Sequence, residues 1–213
     1  MADSQPKRGK RSFLSKTIWV SLIVVAVSVV LGLLYAKSVV NQLTDLQPAK
    51  LPTVQLPEIH MFQLHDRVDT FKDSVRDGDP TQPLALTAEE LNALIETDPA
   101  FAALKNHLFV TINGNELGAQ ISFPAEDIGL ERLRGRYVNA TGVFDVGLTN
   151  NELSVMVESL SVKGKPLPTH IMRQIMGRNL AEKLNQDTKT AAGLRKLKAI
   201  EVKEGKLVVT ARK

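Results

Sequence analysis

Four histidines and one pair of adjacent glutamates are the residues of this chain that invite a catalytic reading, and neither set has the spacing chemistry needs. His60 and His65 are five residues apart, so on a helix they do not share the face that an i, i+4 metal pair requires. His107 and His170 stand alone. Glu89 and Glu90 open a helix, where carboxylates complement the helix dipole without any catalytic role. The chain contains no H-E-x-x-H, no G-x-S-x-G, no phosphate-binding glycine loop and no cysteine. These residues predict a protein that is not an enzyme, with no cofactor and no metal site. The lack of cysteine also excludes disulfides and a cysteine-linked lipid anchor.

Two apolar sets are more informative. Ile171, Met172, Ile175, Met176 and Leu180 form one stripe at helical spacing, and Met156 falls in a strand upstream. Methionine is flexible and polarisable, so these six residues are the candidate lining of an adaptable groove for an amphiphile, or else ordinary core. Met61, Leu64, Val68, Phe71 and Val75 recur at spacings 3, 4, 3, 4. That heptad-like stripe reads either as a dimer seam or as a face packed on the chain's own domain.

The segment that must position all of this is Thr17 to Tyr35, without charge or proline. As a helix it covers about 28 Å, the thickness of a bilayer's hydrocarbon core. Trp19 and Tyr35 stand near its two ends, where aromatic rings favour the interface. Lys7, Arg8, Lys10, Arg11 and Lys16 precede it, so the amino terminus is expected in the cytoplasm and the remainder outside the cell membrane. Its length favours an uncleaved signal-anchor over a cleaved signal peptide. The expected organisation is a basic tail at 1–16, one membrane span at 17–35, a helical extension and proline-rich spacer at 36–57, and an extracytoplasmic domain at 58–213. Ala36, Val39, Val40, Leu43 and Leu46 keep the helical spacing before Pro48, Pro52 and Pro57 end it.

Charge is unevenly distributed beyond the span. Residues 37–162 hold nine bases and 18 acids, whereas residues 163–213 hold 13 bases and four acids. Either the two parts pack together, or the basic end faces anionic lipid headgroups. Nucleic acid is not an expected partner, because the bases lack an interleaved aromatic platform.

Within the domain, residues 58–76 read as an amphipathic helix and Thr87 to Glu90 as a T-x-x-E capping box. From Leu108 the period changes to that of strands, with hairpin turns at Asn113-Gly114, Asn150-Asn151 and Glu204-Gly205. Gly142 and Gly147 predict bulges or curvature. A single amphipathic helix is expected from Pro168 or Thr169 to about Asp187. No βαβ alternation is present, so the fold class is α+β, with a curved antiparallel sheet packed on that helix.

The capped helix Leu86 to Ile95, the turn Leu160 to Pro168 and the final hairpin Leu197 to Val209 resemble those of YpmS-like single-span bacterial membrane proteins. That outline is similar to tubular lipid-binding domains, in which a curved sheet wraps a long helix. The resemblance implies a lipid or other amphiphile of the cell envelope as ligand. The rival expectation is an envelope scaffold that dimerises or recruits a protein partner through residues 58–76.

Overall fold

The computed structural model describes residues 40–127 and 130–212. The expected tail and span lie outside these. Among the described residues no helix is long and apolar enough to cross a membrane. The chain divides into two compact units, 1–43 and 44–213. In the first, residues 40–43 are helical.

The second unit contains two antiparallel sheets and several short helices, a mixed α+β architecture. Helix α1 (Glu58–Asp77) precedes strand β1 (Leu84–Thr87) and helix α2 (Ala88–Thr97). Strands β2 (Leu108–Asn113), β3 (Glu116–Pro124), β4 (Tyr137–Thr149), β5 (Glu152–Val162) and β6 (Lys165–Pro166) form a five-stranded sheet in sequence order. Helices α3 (Thr169–Ile175), α4 (Glu182–Gln186) and α5 (Thr188–Leu194) follow. Strands β7 (Leu197–Lys203) and β8 (Lys206–Ala211) then join β1 in a three-stranded sheet of order β1-β8-β7.

Local chemistry sets the hairpins. Asn150 and Asn151 both take left-handed φ, 54° and 66°, between the paired Thr149 and Glu152. Glu204 and Gly205 do the same between Lys203 and Lys206. Two positive-φ residues match the turn twist to that of the strands. The expected curvature has a located cause, because the β4–β5 register shifts between Val143 and Phe144. Next to this bulge a Cβ on Gly142 would sit 2.7 Å from the Ser159 carbonyl oxygen and 2.8 Å from the Leu160 side chain. Only glycine fits that approach.

The helix α2 opens as expected. Thr87 Oγ1 accepts from the Glu90 amide, and Glu90 Oε2 accepts from the Thr87 amide. Its inner face meets α1 and β1 in a core of Leu64, Val68, Leu86, Ala93 and Leu94. This corrects the dimer seam. Leu64 is 1% exposed, and Val68 and Phe71 are also buried within the chain's own fold. Met61 packs partly against the same core, and Val75 is half-buried. Leu64 and Val68 leave water by packing on β1 and α2 of the same chain, so they are not available to a second copy.

Two further expectations are corrected. The helix ends at Leu43 rather than continuing to Leu46, and the compact unit begins at Thr44 rather than Glu58. Asp45 leaves helical geometry because its amide and carbonyl both pair with Tyr137, at 2.8 Å each. The single long helix at 168–187 is instead two pieces, α3 and α4, broken between Ile175 and Glu182. At the break the Leu180 amide donates to the Val155 carbonyl of β5 and so is lost to any helix.

Candidate functional site

Alternation along the paired strands gives the five-stranded sheet two unlike faces. Register places Leu117 opposite Phe144 and Phe144 opposite Val157, so these three share one face with Ala119, Val146 and Val155. Gln120, Ser122, Asn139, Thr141 and Ser161 belong to the other.

One end of the polar face is held by the segment that leads into it, while Thr141 farther along is exposed. Asn139 Nδ2 donates to Asp45 Oδ2 and to the Gln47 carbonyl, each at 3.0 Å. The Ala49 amide donates to Ser122 Oγ and Asn139 Oδ1, also at 3.0 Å. Ser122 Oγ in turn donates to Asn139 Oδ1 at 2.8 Å. Arg136 Nε donates to Thr44 Oγ1 at 2.6 Å, and Lys163 Nζ donates to the Thr44 carbonyl at 3.0 Å and pairs with Asp45 at 2.9 Å. Burial pushes the Asp45 carboxyl up, but hydrogen bonds from Lys163 and Asn139 and the nearby Lys163 and Arg136 charges outweigh it, leaving a net lowered pKa. Thr44 and Ser122 are buried, and among the described residues no buried side-chain nitrogen or oxygen lacks a partner. Residues 44–49 therefore form a clasp. The proline-rich stretch beyond it is extended, but Leu56 packs on the α1–α2 core, so it runs along the unit instead of standing it off.

The apolar face is closed differently. Ala119, Phe144 and Val157 are buried, and Met172 and Ile175 of α3 pack on them while remaining half-buried. Leu108, Leu117, Ile121, Val146, Val155 and Leu160 surround this contact without being sealed by it. Beyond Ile175 the chain moves to the sheet's edge. Asn179 Oδ1 accepts from the Val155 amide and its Nδ2 donates to the Leu153 carbonyl, at 2.9 and 2.8 Å. Asn185 holds Leu153 in the same way, at 2.9 Å on both groups. The opposite edge carries the same device, since Asn92 pairs with both backbone groups of Val110. Side-chain amides thus occupy the free backbone groups of β2 and β5 that would otherwise template another strand.

Of the six expected groove residues, the fold brings Met172 and Ile175 together on the apolar face. Ile171 is half-buried on the same short helix. Met176 and Leu180 are exposed at the sheet's edge, joined there by Leu184. Met156 pairs with Asp145, in the alternation set opposite Phe144 and Val157, and so does not belong to this surface. Two grooves lie elsewhere. One of 470 Å³ runs between α1 and residues 80–85, and one of 410 Å³ lies between residues 53–56 and α2. None of the six lines either groove.

The histidines have structural surroundings. His107 Nδ1 donates to the Ser122 carbonyl at 2.6 Å and its ring stacks on Phe123 at 5.1 Å. His60 and His170 are exposed and His65 is half-buried. No group of three or more histidine, aspartate or glutamate side chains among the described residues is placed to hold a metal ion.

The class defined by fold and surface is thus an α+β unit with one clasped polar sheet face and one half-covered apolar face. Comparison takes the identification no further: no family model, no curated protein and no solved structure matches this chain.

Proposed function

We propose that this is a membrane-anchored extracytoplasmic protein, without catalytic activity, that binds a lipid or another amphiphile of the cell envelope. The observation carrying this reading is the incomplete cover of the apolar sheet face, where α3 contributes only Met172 and Ile175. An acyl chain laid beside α3 would remove apolar surface from water that the protein's own side chains leave half-exposed. The site is then an open shelf along β4 and β5, in place of the enclosed tube implied by the resemblance. The anchor at residues 17–35 would keep the shelf close to a lipid source.

The test is native mass spectrometry of residues 44–213, with organic extraction of whatever co-purifies. The expected result is a stoichiometric amphiphile that Ile175→Arg removes while the circular dichroism spectrum is retained. A wild-type sample free of any such mass would sink the reading.

A second reading is favoured by one observation. Phe62 and Ile59 are 70% and 59% exposed on the outer side of α1, whose inner side is already buried. A protein partner recruited through residues 58–76 would bind that outer side. Phe62→Ser should then abolish its capture and leave any bound amphiphile in place.

A further inference from the structure

The stretch from Met176 to Leu184 carries three large apolar side chains that the fold holds in water. Met176, Leu180 and Leu184 are 46%, 53% and 52% exposed. The residues between them enforce this exposure. Asn179 and Asn185 turn inward to bond β5, Ala181 is buried, and the Leu180 amide is fixed on Val155. A rotation that buried Leu180 or Leu184 would break those bonds. Arg173, Arg178 and Lys183 flank the three, are exposed, and take part in no ion pair among the described residues. The acids of the same stretch are Glu182 and Asp187, and the latter caps α5 through the Thr190 amide.

We propose that this ridge docks on an anionic lipid surface, the leaflet facing the domain, with Met176, Leu180 and Leu184 at the acyl boundary and Arg173, Arg178 and Lys183 among the headgroups. Apolar side chains flanked by bases are what an interfacial segment requires. The proposal rests on the anchored, amphiphile-binding reading, which it deepens by placing the shelf's rim against its lipid source. Charge selects this occupant over a second copy of the chain, since two such ridges face to face would oppose bases to bases. The tether is compatible with it. Eight residues, 36–43, separate Tyr35 from Thr44, and with 40–43 helical their reach is at most about 25 Å. Lys163 holds the Thr44 carbonyl at one end of β5, and the ridge joins β5 at Val155, about 25 Å along the strand. The ridge meets the surface when β4 and β5 lie along it.

The absence of cysteine makes the test direct. The full chain, spin-labelled at Leu184→Cys or at the exposed control Asp79→Cys, is reconstituted in vesicles of phosphatidylcholine alone or mixed with phosphatidylglycerol. The expected result is a Leu184 label more accessible to oxygen than to a water-soluble nickel relaxant when phosphatidylglycerol is present. The Asp79 label should remain water-like throughout. Combining R173Q, R178Q and K183Q should return the Leu184 label to water. A Leu184 label that is water-like in both vesicles, on a chain that alkaline carbonate does not release, overturns the docking proposal alone. Release by carbonate overturns the anchor and the proposal together. Insertion indifferent to phosphatidylglycerol overturns the role given to the bases.

Discussion

The two faces of the five-stranded sheet are covered in part by opposite means. On the polar face, seven backbone and side-chain groups of residues 44–49 are held by Ser122, Arg136, Tyr137, Asn139 and Lys163 at 2.6–3.0 Å. On the apolar face, one seven-residue helix rests on a sheet it does not fill. At the centre of this network the buried Thr44 and Ser122 are both hydrogen-bonded, and a buried polar group is costly without a partner, so these bonds fix the segment on that face. Apolar packing is non-directional and tolerates a gap or a guest. The difference gives fixation of the chain to one face and leaves the other the surface on which the proposed binding rests.

The largest expected effect attacks the clasp. Asn139→Leu removes the acceptor of the Ala49 amide and of Ser122 Oγ, and the donor to Asp45 and Gln47. The Ala49 amide keeps Ser122 Oγ and Asp45 keeps Lys163, so losing the four Asn139 bonds should cost about 2–3 kcal/mol, read as a lower midpoint in chemical denaturation. Proteolysis should then begin within residues 44–57. A cost below about 1 kcal/mol would mean that water replaces the network and that the faces are not so different. Gly142→Val should follow, at about 2 kcal/mol, because its side chain would meet the Ser159 carbonyl at the bulge.

This contrast bears on what could be read beforehand. The capping box at Thr87 and the turns at Asn150-Asn151 and Glu204-Gly205 were legible because their partners lie within a few residues. The α1 stripe was legible as apolar, but its partner was not, since a helical period does not say whose core it enters. The clasp was invisible. Its bonds join residues 73 to 119 positions apart and leave no periodic trace. The same holds for β1, a four-residue strand that exists through pairing with β8. At the apolar face, helical spacing marks Met172 and Ile175 as apolar-stripe residues, whereas the side of the sheet that Met156 takes depends on strand parity, which its residue type does not carry. Asn179 carries no apolar signal, so the helix break it accompanies could not be anticipated.

Asn179→Ala tests the boundary between the two regimes. It frees the Val155 amide and one donor to the Leu153 carbonyl at a partly buried edge. About 1–2 kcal/mol should be lost. Exposing the edge of β5 should also bring concentration-dependent association, measurable by light scattering. If stability falls without association, the neighbouring Asn185 suffices to block the edge.

Acid should loosen the clasp. Asp45 has a lowered pKa in the folded chain, so its contribution is present above the ordinary carboxylate value of 3.8 and is lost as pH falls through the folded value. Asp45→Asn should therefore reduce stability at neutral pH and flatten the decline on acidification below about pH 4. An unchanged acid profile would move the pH dependence to other carboxylates and reduce the Lys163 pair to a surface contact.

The smallest expected change is the most discriminating for the apolar side. Leu180→Ser removes a side chain that is 53% exposed while its backbone bond to Val155 remains available. Stability should shift by less than about 0.5 kcal/mol, as for exposed positions without special contacts. A leucine that does nothing for the fold, fixed outward by asparagines on either side of it in sequence, is then retained for what it meets outside. A loss well above 1 kcal/mol would instead make Leu180 part of the packing. The apolar face would then be closed as firmly as the polar one, and the distinction between a face that fixes and a face that binds would fail.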